Sequence, residues 1–228
     1  MGKKSKHIKP NDQDKPWAKR HSTVRQEKNE RSIKNTFLIY CEGKNTEPTY
    51  FKSFPVTTDT EVKAIGLGRS KTALVQKVLE LTESIEKDAE QQIWIVFDRD
   101  IKYDNVSQGN QDFNEAIQLA QQNNLKCAYS NDCFELWFVL HDELMESALH
   151  RTQLYKKLST KLNCNYEKDG KSIDFAKSLY AISLPNIENA TRNAQKLHQV
   201  HGDAAYHEQN PCTTVYQLVE ELNNVIRK

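Results

Sequence analysis

The chain has 228 residues, with 32 Lys/Arg against 31 Asp/Glu, and is 37% hydrophobic and 28% charged. That length suits one large domain or one and a half, and so low an apolar share gives a polar protein with a modest core. No run of about 18 apolar residues occurs, which excludes a membrane-spanning helix, and the charged N-terminal stretch has no apolar segment, so no secretory leader is expected.

The near-neutral total conceals a split. Residues 1–34 hold 11 Lys/Arg and 4 Asp/Glu, a net +7, and the remainder holds 21 and 27, a net −6. A basic arm therefore precedes a mildly acidic body, a pattern often found where a chain meets nucleic acid or another acidic surface. The five cysteines (Cys41, Cys127, Cys133, Cys164 and Cys212) are odd in number and form no CxxC pair. This argues against a disulfide framework or a zinc ribbon and suits a reducing cytoplasm.

The arm lacks hydrophobic periodicity, and Pro10 and Pro16 interrupt any helix. It is expected to be mobile in isolation. Phe37–Cys41 is a short apolar run closed by the turn residues Glu42-Gly43, which predicts a buried strand. Asn45 or Thr46 can cap the next helix, with Pro48 in its first turn. A second strand is predicted over Glu61–Leu67, then a helix over Lys71–Lys87 capped by Ser70. Ile93–Phe97 is wholly apolar, as in strands buried on both faces of a parallel sheet. A helix at 112–123, a strand at Lys126–Ser130 and a very apolar helix at Asp132–Leu144 follow. Further helices are predicted at 151–162, 172–181, 186–200 and 213–227. Strand–helix alternation gives an α/β core with a doubly wound parallel sheet of about four strands. The expected organisation is an arm (1–34), an α/β core (35–144) and a helical extension packed on it (145–228).

Sites in open parallel sheets form outside the carboxyl ends of the strands. The first strand delivers Glu42 there and the third delivers Asp98-Arg99-Asp100. If these strands are neighbours, Glu42, Asp98 and Asp100 converge. An Asp-x-Asp leaving a strand projects both carboxylates the same way. Such a cluster is tolerable around a hard divalent cation such as Mg²⁺. Gly43 would let a phosphate approach the backbone, and the helix after it would point its N-terminus at that phosphate.

A Glu after the first strand and an Asp-x-Asp after the third resemble the Toprim fold of topoisomerases, bacterial primases and OLD-family nucleases. Ile39–Phe51, with its Glu42-Gly43-Lys44-Asn45-Thr46-Glu47, looks like the opening motif of the RloB family. Trp94–Asp100, Asn131–Trp137 with His141, and His201-Gly202 followed by Asn210–Val215 look like that family's later motifs. The likeness runs from about residue 33 to 226, and departs at Asp132, where the family more often has Pro. It implies a Toprim-like core, an Mg²⁺- or Mn²⁺-dependent nuclease acting on RNA or DNA, and a place in anti-phage defence. Catalysis falls to Glu42, Asp98 and Asp100, with Glu47 and Glu135 completing a site for one or two ions.

Competing roles stand beside several of these residues. Asp132-x-x-Glu135 also fits a capping pattern, and Glu47 sits where a helix favours acid anyway. Asn131 and His141 can support the ligands from behind, although His141 also suits a core face. His198, His201 and His207 have no cysteine at ligand spacing and do not suggest zinc. Lys44, Arg69, Lys71, Arg99 and Lys102 can hold phosphate or serve as solvated loop charges. Three functions follow from different classes: a nuclease, a non-catalytic sensor of nucleic acid or a phage protein, and an effector idle until a partner ATPase or phage trigger acts. The helical extension is large enough for a partner or a homodimer surface.

Overall fold

Burial on both faces organises the sheet. The computed structural model describes residues 35–85, 91–100, 104–170 and 172–226. The basic arm and Lys102 lie outside the described residues. Strands β1 (Asn35–Cys41), β2 (Thr60–Gly66), β3 (Gln91–Asp98) and β4 (Lys126–Asn131) run parallel. The short β5 (Cys212–Thr213) adds antiparallel to β4, giving the order β2-β1-β3-β4-β5. This α/β arrangement is in keeping with a Toprim-like fold, with one strand more than the parallel run predicts.

Alternation along β1 and β3 assigns side chains to two apolar layers. Phe37, Ile39, Cys41, Trp94 and Val96 enter one layer. Leu38, Tyr40, Ile95 and Phe97 enter the other. Helix α1 (Thr46–Lys52) covers the first layer with Tyr50 and Phe51. Helices α2 (Lys71–Thr82) and α3 (Val106–Gln122) cover the second with Leu74, Val75, Val78, Phe113 and Ile117. The connection from β1 to β2 and that from β2 to β3 therefore lie on opposite faces. The winding reverses between β1 and β3, and a crevice opens at their carboxyl ends.

The segment beyond β4 thickens the first layer. It comprises α4 (Glu135–Val139), α5 (Arg151–Leu162), α6 (Tyr166–Asp169), α7 (Ile173–Ser183), α8 (Ile187–His201) and α9 (Val215–Ile226). Trp137, Leu158, Leu179, Ala194 and Leu218 join Phe37 and Ile39 in one continuous core. At its centre the buried Trp137 indole N–H donates to the Tyr50 hydroxyl at 2.9 Å. Among the described residues no helix is long and apolar enough to cross a membrane.

Three predicted elements change. The helix expected over Asp132–Leu144 shrinks to the five residues of α4. Asn193 and Asn189 of α8 donate to the carbonyls of Leu140 and His141 at 2.9 and 2.8 Å. Those carbonyls therefore need no further helical turn. The helix expected at 112–123 begins at Val106 through a polar stretch without apolar periodicity. The long second helix ends at Thr82. Ser70 makes no side-chain cap; instead Asp112 of α3 accepts from the Thr72 N–H at 3.3 Å.

The Tyr50–Trp137 bond ties α1 to α4, and its loss is measurable. Tyr50→Phe should destabilise the protein by about 1–3 kcal/mol, because the indole N–H is left buried without an acceptor. Urea unfolding of Tyr50→Phe, Trp137→Phe and the double variant tests this. The double variant should cost less than the two single losses together.

Candidate active site

The crevice between β1 and β3 is where the carboxylates gather. The Glu42 N–H donates to the Val96 carbonyl at 2.8 Å, holding the end of β1 against β3. The Asp98 N–H in turn faces Glu42 Oε2 at 3.4 Å. Glu47 enters from the first turn of α1, and Glu135 is the first residue of α4. These four acids line one cavity of about 240 Å³, together with Lys44 and Arg151.

Burial sets their chemistry. Desolvation pushes the Glu42 carboxyl up to about 7, helped by Asp100 and Glu47, while Lys71 and the Asp98 N–H pull the other way. Asp98 is held well above the usual carboxylate range by burial first, then by repulsion from Glu47, Glu135 and Glu42. The Phe134 N–H donates to Asp98 and opposes that rise. Phe134 is the residue before the first of α4, at the N-cap position, and no side chain caps the helix there. Asp132 is not the helix cap and Glu135 is not in the third turn position, so the capping-box reading of Asp132–Glu135 is corrected. Glu135 instead accepts from the buried Tyr166 hydroxyl at 3.4 Å.

Asp100 takes another direction. The strand ends at Asp98, and Asp100 adopts a left-handed φ of 41°. Strand alternation therefore no longer governs its side chain. Its carboxylate meets Arg151 Nη2 at 2.8 Å, and Asp132 meets Arg151 Nε at 3.7 Å. Asp100 acts on Glu42 through charge but is not among the residues lining the cavity.

The remaining predicted residues divide by place. Gly43 lies so close to Glu47 that a Cβ there would collide with its carboxylate. Gly66 does the same for the loop: a Cβ would strike the Gly43 carbonyl and the Lys44 backbone. Lys71 is buried at the start of α2, with φ 47°, and its charge reaches Glu42. Arg69 is exposed in the preceding turn. Arg99 is buried away from the cavity, with Nε and Nη2 donating to Asn110 and Nη1 to Asn131. Asn131 also donates to the Gln209 carbonyl at 2.8 Å, so it fastens the chain before β5. His141 is fully buried against Trp137 and Phe138, with Nδ1 on the Trp137 carbonyl and Nε2 without a hydrogen-bond partner. Burial lowers its pKa to about 4.

Arg151, Tyr155 and Tyr166 were not anticipated from the sequence. Arg151 and Tyr155, four residues apart on α5, both line the cavity. One signal was available: Arg151 occupies the first position of a helix, where the macrodipole disfavours a cation. Such a residue needs acids nearby, and Asp100 and Asp132 supply them.

The donor set suits a hard divalent cation, because four carboxylates supply only oxygen and repel one another when ionised. Among the described residues no group of three His, Cys, Asp or Glu forms a ready-made ion site. An ion would have to draw these side chains in.

No curated protein and no solved structure matches the chain. The family model described as RloB-like protein matches residues 37–222, which includes Glu42, Glu47, Asp98, Glu135 and Arg151. The chain belongs to the RloB-like protein family.

Proposed function

We propose that the cavity at the ends of β1 and β3 hydrolyses phosphodiester bonds in RNA or DNA with the help of Mg²⁺ or Mn²⁺, and that this activity serves anti-phage defence. One observation carries the hydrolytic reading: Glu42 and Asp98 stand side by side at the switch point of a parallel sheet, in a cavity shared with Glu47 and Glu135. The defence role rests on the resemblance to RloB proteins of restriction-modification and anti-phage loci.

Glu42, Asp98, Glu47 and Glu135 would hold the ion. When bound, the ion would activate water and neutralise charge on the departing oxygen. Glu42 has a pKa of about 7, so it can also accept or return a proton near neutral pH. Lys44, on the cavity wall, can meet a substrate phosphate. The +7 arm is proposed to tether nucleic acid.

Asp98→Asn keeps an acceptor for the Phe134 N–H while removing the carboxyl that burial and its acidic neighbours disfavour as an anion. It should abolish Mg²⁺- or Mn²⁺-dependent cleavage of labelled RNA and DNA. It should also raise the melting temperature of the metal-free protein by about 2–4 °C for each kcal/mol of repulsion relieved. Equal cleavage by wild type and variant on every substrate would remove Asp98 from the reaction.

The raised Glu42 carboxyl gives a pH test. Its proton affinity is higher folded than unfolded, so folding takes up a proton between about 4.5 and about 7. Stability from this group is full below about 4.5 and is lost as pH rises through about 7. A divalent ion that displaces the proton should reverse this trend. The gap between melting curves with Mg²⁺ and with EDTA should therefore widen from pH 5.5 to 8. A constant or absent gap would count against an ion at Glu42.

A further inference from the structure

Arg151 belongs to the segment after the sheet's parallel strands, yet its guanidinium lines the carboxylate cavity. Two acids fix one edge of it. Nη2 lies 2.8 Å from Asp100 and Nε 3.7 Å from Asp132. Nε and Nη2 form the same edge of the planar fork, so these contacts set the plane and direction of the group. Nη2 is paired by charge with Asp100 but is buried without an aligned hydrogen bond. Asp132 itself is 5% exposed, with Oδ1 also lacking a hydrogen-bond partner. A purely structural arginine would have these groups satisfied. Arg99 illustrates that state, with three nitrogens bonded to Asn110 and Asn131.

Arg151 is the first residue of α5, where the helix dipole disfavours a cation, so an anion in the cavity would relieve it. A phosphodiester fits, since a planar fork binds two of its oxygens at once.

Building on the phosphodiesterase reading, we propose that Arg151 is the phosphate-binding residue of this cavity. Asp100 and Asp132 position it, and a nucleic-acid phosphate takes the space that it lines with Lys44. The helical segment then completes a site whose acids come from the ends of β1 and β3 and the first turns of α1 and α4.

The full chain, wild type and variants, is titrated against a fluorescent phosphorothioate oligonucleotide, as RNA and as DNA, with Ca²⁺ replacing Mg²⁺. Mn²⁺ binding is measured separately by calorimetry. Arg151→Met should weaken oligonucleotide binding about tenfold to a hundredfold. Arg151→Lys should recover only part, because an ammonium lacks the fork. Mn²⁺ should bind Arg151→Met as tightly as wild type or more tightly, since a neighbouring cation has gone. These opposite movements separate phosphate binding from a folding role. Unchanged oligonucleotide affinity in Arg151→Met, a wild type that binds neither oligonucleotide, or joint loss of oligonucleotide and Mn²⁺ would overturn the assignment. The two readings also part company. A wild type that binds through Arg151 but cleaves nothing with Mg²⁺ or Mn²⁺ keeps this proposal and ends the nuclease reading. Cleavage by Arg151→Met with unchanged KM and kcat does the reverse.

Discussion

Mutual repulsion among carboxylates at the ends of β1 and β3 is the constraint around which the site is built. Glu42, Glu47, Asp98 and Glu135 share one small cavity, and burial amplifies every unit of charge they carry. The fold answers with cations in unusual places. Lys71 is the first residue of α2 and Arg151 the first of α5, both where a helix dipole disfavours positive charge. Each faces acids: Lys71 acts on Glu42, and Arg151 pairs with Asp100 and Asp132. The start of α4 contributes too, since the Phe134 N–H is spent on Asp98 rather than on a local cap. Three helix starts are thus tuned to one acidic spot.

This organisation explains the Asp-x-Asp. The two aspartates look equivalent in sequence, but the strand ends between them. Asp98 keeps strand geometry and enters the layer of α1 and α4, whereas Asp100, at φ 41°, turns to Arg151. One carboxylate is left with a rising pKa in the cavity, and the other is neutralised by a cation from the far segment. The motif divides its labour: one acid lines the cavity, and the other sets the direction of a guanidinium.

What sequence reveals follows the range of the forces involved. Phe37–Cys41 and Ile93–Phe97 are legible as strands because burial on both faces demands unbroken apolar runs. Their parallel order then puts Glu42 and Asp98 at neighbouring strand ends. The boundaries of α4 are not legible, because Asn189 and Asn193, about fifty residues on, take the carbonyls that end it. The start of α2 at Lys71 is legible, but its N–H acceptor is not: Asp112, forty residues away, takes the Thr72 N–H in place of a Ser70 side-chain cap. Arg151 could be suspected only from its awkward place at a helix start. Contacts within a turn write themselves into local pattern, whereas those across the chain leave only such anomalies.

The anomalies also separate structure from function. A chain selected only for stability has little reason to hold Asp98 buried near three other acids, because an amide would accept the same Phe134 N–H without the repulsion. Local rules broken without compensation mark positions held for another purpose. Arg99 and Asn131 are the contrast: both are buried and polar, both are well bonded, and both fasten the chain around β4 and β5. At the cavity and its rim several such departures gather: Glu42 and Asp98 have raised carboxyl pKa values, and Asp132 Oδ1 lacks a hydrogen bond. Mutually repelling acids and a guanidinium held by Asp100 and Asp132 line one space. On the proposed reading a phosphodiester accompanied by a divalent ion would answer both at once, and neither component alone would.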